Sequence, residues 1–91
     1  MGENALLGKI EYIGGIRDNM LNGKGALQFT NSYIIEGVFK NDILIAEKHA
    51  VLTNLENGIE LKIKKMDING NIITEDNAKY SIDVRNGKII Q

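Results

Sequence analysis

The sequence predicts an all-β domain, an antiparallel meander of successive β-hairpins. Three features predict it. Asn-Gly pairs at Asn57-Gly58, Asn69-Gly70 and Asn86-Gly87 sit between alternating apolar and polar residues. Such a pair favours the tight hairpin turn, which needs positive φ at both central positions. Pro is absent while Gly occurs ten times, so chain reversals fall to Gly, Asn and Asp, which tolerate positive φ. Ile and Leu dominate the apolar set and Trp is absent, and branched Ile packs well on a pleated surface.

Taken along the chain, Tyr12 to Ile16 reads as a strand that turns at Asp18-Asn19 and returns through Gly23 to Phe29. Asn22-Gly23 is a fourth Asn-Gly pair with weaker flanks. Tyr33 to Lys40 opens the next hairpin. Ile43 to Leu52 is apolar-rich without Gly or Pro and admits a helix, although strand is the preferred reading for part of it. Val51 to Leu55 leads into Asn57-Gly58, after which Ile59, Leu61 and Ile63 share one face and Glu60, Lys62 and Lys64 the other. Ile68 and Ile72 bracket Asn69-Gly70, and Thr74 to Lys79 reads as a loop. Tyr80, Ile82 and Val84 alternate with Ser81, Asp83 and Arg85, and Lys88-Ile89-Ile90 returns after Asn86-Gly87.

A chain of 91 residues forms one domain, residues 1–91, and is too short for two. The 11 basic and 12 acidic residues leave a net charge of −1, so no strong field draws in nucleic acid or an anionic membrane. There is no Cys, hence no disulfide framework, thiolate metal site or cysteine nucleophile. The apolar runs are too short to span a bilayer. Met1 to Lys9 lacks the basic start and apolar stretch of a signal peptide, and Leu6 stands where acylation at Gly2 wants Ser or Thr. These features predict a cytoplasmic or nuclear location, cytoplasmic being the preferred reading.

The chain also matches itself. Tyr12-x-Gly14-x-Ile16 returns as Ile35-x-Gly37-x-Phe39 at a constant spacing of 23 residues (12 to 35, 14 to 37, 16 to 39), and a fixed spacing of this length marks stacked supersecondary units. The same spacing relates Asn19 to Asp42, Leu27 to Ala50 and Phe29 to Leu52. Tyr12-Ile-Gly14-Gly-Ile16 followed by Gly23-Lys-Gly25-Ala-Leu27-Gln-Phe29, and then Tyr33-Ile-Ile35-Glu-Gly37-Val-Phe39, resembles MORN (membrane occupation and recognition nexus) repeats. The resemblance covers about residues 8–55. Ala46 and Lys48 stand where the second unit should carry its Gly-x-Gly, and residues 56–91 read as degenerate hairpins or a cap. It implies a MORN-like twisted ribbon that serves as a scaffold. Gly14, Gly23, Gly25 and Gly37 are expected as structural glycines that admit a neighbouring unit's bulky side chains.

Residues that suggest chemistry are few. His49 is the only histidine and has no second His or Cys with which to share a metal. Asp67-x-Asn69-Gly70-Asn71 resembles the start of a calcium loop, but Ile72 and Ala78 stand where Gly and Glu are needed. Glu75-Asp76 is an isolated acidic pair. Lys62, Lys64 and Lys65 form a small basic cluster, blunted by Glu60 and Asp67 and lacking stacking aromatics. The sequence therefore predicts a non-enzymatic module with no cofactor and no metal. It is expected to bind a protein partner through a β-groove or sheet edge, with Tyr12, Phe29, Tyr33 and Phe39 as contact residues. Homodimer formation through the same edge or groove is the related expectation. The alternative from another class is a stand-alone inhibitor or decoy that blocks an enzyme or a nucleic-acid complex.

Overall fold

The computed structural model describes residues 3–91; Met1 and Gly2, weighed above for acylation, lie outside them. Ten strands follow one another: β1 (Glu3–Leu7), β2 (Ile10–Arg17), β3 (Met20–Gln28), β4 (Tyr33–Lys40), β5 (Ile43–Leu44), β6 (Val51–Asn54), β7 (Glu60–Met66), β8 (Asn71–Thr74), β9 (Lys79–Asp83) and β10 (Lys88–Ile90). Every pairing is antiparallel, and the sheet runs in chain order, with the short β5 beside β4 and β6 taking the next place on the path. The all-β meander of hairpins is thus the fold, and no helix interrupts it among the described residues. Ile43 to Leu52 divides into β5, a run of turns and the start of β6.

Two kinds of turn recur among the connections. Asp18-Asn19 and Asn41-Asp42 are two-residue turns with positive φ at both positions, 52° and 63° in the first and 49° and 70° in the second. They stand at equivalent places in the 23-residue spacing. The Asn-Gly pairs behave differently from the expectation. At Asn57-Gly58, Asn69-Gly70 and Asn86-Gly87 only the Gly has positive φ. These loops are longer than two residues, so a right-handed turn comes first and Gly closes it as the single left-handed residue. Side chains favour that longer form. Asp67 Oδ1 accepts hydrogen bonds from Asn69 N and Asn71 N, both at 2.9 Å, and Asp83 Oδ1 accepts from Asn86 N at 3.2 Å. Asn22-Gly23 makes no chain reversal. It lies within β3, opposite a register shift between Gly14 and Ile16, a bulge that bends the sheet.

A second bulge, between Ile63 and Lys65, leaves Lys64 and Lys65 both exposed while Met66 packs against the core. Strong local twist of this kind rolls the ribbon up instead of extending it, and the sheet becomes a nearly closed barrel. Closure is made by the β3–β4 loop meeting β10. Thr30 N donates to Gly87 O at 2.7 Å. Asn31 Nδ2 donates to Ile89 O at 2.8 Å, and Ile89 N donates to Asn31 Oδ1 at 3.1 Å.

Among the described side chains, the barrel interior is filled by inward-facing residues of β2 to β8 and β10 and of the adjoining loops. Tyr12, Ile35, Leu52 and Ile72 are almost wholly buried, joined by Phe29, Phe39, Ile63 and Ile89. Glycines decide how the largest of these fits. Gly14, Gly25 and Gly37 pair side by side across β2, β3 and β4. A methyl group on Gly25 would land inside the Tyr12 ring. The ring therefore lies on the return strand of its own hairpin, not on the neighbouring unit as the repeat pattern suggested. Its edge meets Phe39 at a centroid distance of 5.4 Å and an interplanar angle of 87°, a favoured aromatic geometry. Gly37 is filled by Leu44 and Ala50, again from its own unit. Gly14 packs on Gly25 and the Tyr12 hydroxyl, so its surroundings differ from those of Gly37. Gly23 has open space around it and is kept by its backbone angle of +85°.

Candidate functional site

One end of the barrel stays open. The Asp18-Asn19 and Asn41-Asp42 turns stand on one side of it, and the Asp67–Asn71 hairpin tip and Val84 on the other. Between them lies a hollow of about 560 Å³ floored by Ile10, Leu21, Leu27, Phe39 and Leu44. That volume falls within the roughly 300–1,000 Å³ of ligand pockets, which often occupy the mouths of barrels. Apolar side chains on its rim are open to water: Ile68 is 88% exposed, Val84 55% and Ile43 53%. A large apolar side chain on a turn tip loses favourable burial energy unless something covers it.

The tip that carries Ile68 is held by hydrogen bonds. Asp67 accepts from Asn69 N, Asn71 N and Asn71 Nδ2, all at 2.9 Å. These bonds, led by the Asn71 side chain, hold the Asp67 carboxyl below the usual carboxylate range. Across the mouth, Asp42 Oδ1 accepts from Leu21 N at 2.7 Å, and Asp42 N donates to Leu21 O at 3.1 Å. Asp42 and Asp67 are the charged residues that line the hollow.

The four aromatic residues expected to contact a partner do not gather there. Tyr12, Phe29 and Phe39 are core residues, 0%, 7% and 2% exposed. Phe39 alone reaches the floor of the hollow. Burial raises the Tyr12 phenol above its ordinary pKa, and its hydroxyl donates to Gly15 O at 2.8 Å. Tyr33 is half-buried at the opposite end, 6.5 Å from Tyr80 between ring centroids, beside a smaller hollow of about 290 Å³. Alternation assigns Ile68 and Val84 to hairpin flanks, so it does not mark them as contact residues. The readable signal was an Ile set inside the polar tip Asp67-Ile68-Asn69-Gly70.

The remaining candidates make no second centre. His49 is exposed in a turn with φ of 61°. No group of three or more His, Cys, Asp or Glu side chains converges among the described residues, and the calcium-like Asp67 segment is a hairpin tip. Asp76 accepts from Thr74 Oγ1, which with the Ala78 backbone lowers its pKa, so this carboxylate caps its own turn. A trough of about 800 Å³ on the outer face joins Ile13 and Val38 to Lys24, Glu36, Glu47 and Lys48. It is the more open and mixed-charge of the two large hollows. No helix is long and apolar enough to cross a membrane among the described residues. No family model, no curated protein and no solved structure matches the chain.

Proposed function

We propose that the chain is a non-enzymatic binding module that takes a protein partner at the open end of the barrel. The observation that carries this reading is Ile68, an apolar side chain held outward on a hydrogen-bonded tip above an apolar hollow. Apolar anchors beside a pocket, ringed by polar groups, are how interfaces concentrate their binding energy. The reading moves the contact surface from the aromatic row to Ile43, Ile68 and Val84; a cytoplasmic location remains part of the proposal. Kinship with MORN repeats belongs to the same proposal. It is supported by the 23-residue spacing and by the two left-handed turns that share it.

Capture from the native source tests the reading. A partner retained by the wild-type chain and by Ile13→Asp on the outer face, but lost with Ile68→Asp and Val84→Asp, would support it. A partner lost only with Ile13→Asp would move the surface to the outer trough.

A further inference from the structure

The open end has a sign as well as a shape. Its lining carries two carboxylates, Asp42 and Asp67, and neither Lys nor Arg. Both are fixed in place by backbone N–H groups, Asp42 by Leu21 and Asp67 by Asn69 and Asn71. The cation felt at Asp67 is Lys65, a weaker influence on it than the hydrogen bonds. A rim of this kind repels acidic segments and attracts basic ones, and like charges brought together at an interface are costly.

Resting on the proposed binding function, we infer that the occupant is a polypeptide segment with an apolar anchor flanked by Lys or Arg. Large apolar side chains of the segment enter the hollow, and its flanking cations meet Asp42 and Asp67 at the rim. A chain crossing the mouth covers Ile43 and Ile68, which are 53% and 88% exposed, together with the floor. An anionic bilayer is disfavoured by the same two carboxylates. A second copy offers its densest cations, Lys62, Lys64 and Lys65, on the outer side of β7. Lys65 lies close enough to Asp67 to help lower its carboxyl, so a dimer through these groups is an outcome that the test below distinguishes.

Three fluorescein-labelled peptides test the inference by anisotropy: Lys-Lys-Leu-Phe-Leu-Lys-Lys, its Glu-flanked counterpart, and a Lys-flanked peptide with Ser in place of the apolar core. The basic apolar peptide is expected to bind about ten-fold or more tighter than either of the others. Its affinity should fall when salt rises from about 50 to about 300 mM, because exposed charges are screened. Asp42→Asn with Asp67→Asn should bring the acidic peptide to within about three-fold of the basic one, with circular dichroism verifying the fold. Equal binding of the acidic peptide, equal binding of the Ser peptide, or no binding by any of the three overturns the inference. So does a charge preference unchanged in the double Asn variant, or a dimer that requires Asp42 and Asp67. Ile68→Ser separates the two levels. If it abolishes binding while charge preference is absent, only the sign of the partner is wrong. If it leaves peptide binding untouched, the open end is not the binding surface.

Discussion

The side-chain amide of Asn31 lies against the backbone of Ile89 as a neighbouring strand would, giving one hydrogen bond and receiving another across 58 residues of sequence. A carboxamide has the donor and acceptor of a peptide group at similar spacing, so one loop residue satisfies two groups on the terminal strand. The meander becomes a near-barrel through this contact and the adjacent Thr30–Gly87 bond.

Asn31→Ala should therefore cost about 1–3 kcal/mol, the range for stranding buried polar groups. Urea unfolding measures the loss. Hydrogen exchange locates it, because the Ile89 amide should lose protection before the β2–β3 amides do.

Gly25 and Tyr12 form a coupled pair. Gly25→Ala forces the Tyr12 ring off its seat and should destabilise by about 1–3 kcal/mol, the usual cost of overpacking. Tyr12→Phe should cost only about 1 kcal/mol, for the lost bond to Gly15 O. Combining Gly25→Ala with Tyr12→Leu should cost clearly less than the sum of the two single changes, since the clash is shared. Thermal or urea unfolding of the four variants gives the coupling.

The two left-handed turns should answer oppositely to glycine. Asn19→Gly relieves a strained backbone position, and its effect is expected to be neutral or stabilising by a few tenths of a kcal/mol. Asp42→Gly relieves a similar position but removes the acceptor for Leu21 N. A net loss of about 1 kcal/mol is expected there.

Acid should loosen the hairpin tips. Asp67, Asp76 and Asp83 are each held below the ordinary Asp pKa, chiefly by side-chain hydrogen bonds from Asn71, Thr74 and Asn86 respectively. A carboxyl with a depressed folded pKa adds stability above its unfolded value, near 3.9, and that stability fades as pH falls through the folded value. Stability should thus be flat in this respect at neutral pH and decline below about pH 4. NMR titration of the three carboxyl groups and urea midpoints across that range measure it. Asp67→Asn should flatten part of the decline.

Much of the fold was legible because it is local. Period-two alternation, Gly in place of Pro and the Asn-Gly pairs mark where hairpins end, and the Tyr12–Ile35 spacing marks the two equivalent turns. Turn type was less legible, because Asp67 and Asp83 accept loop N–H groups and thereby select longer loops than the Asn-Gly pairs alone suggest. Closure was not legible at all. It depends on Asn31 meeting Ile89, and on bulges near Gly15 and Lys64 that no alternating pattern announces. For the same reason the site was misplaced. An open ribbon would leave Tyr12, Phe29 and Phe39 along a groove, whereas the rolled sheet buries them and leaves Ile68 outside.

The binding reading is tested most directly by methyl NMR spectra of Ile-labelled protein titrated with the Lys-flanked Leu-Phe-Leu peptide. The account predicts shifts concentrated at Ile16, Ile43, Ile68 and Ile82, which surround the open end. Shifts confined to Ile13 on the outer face, or to Ile59 at the opposite end, would contradict it.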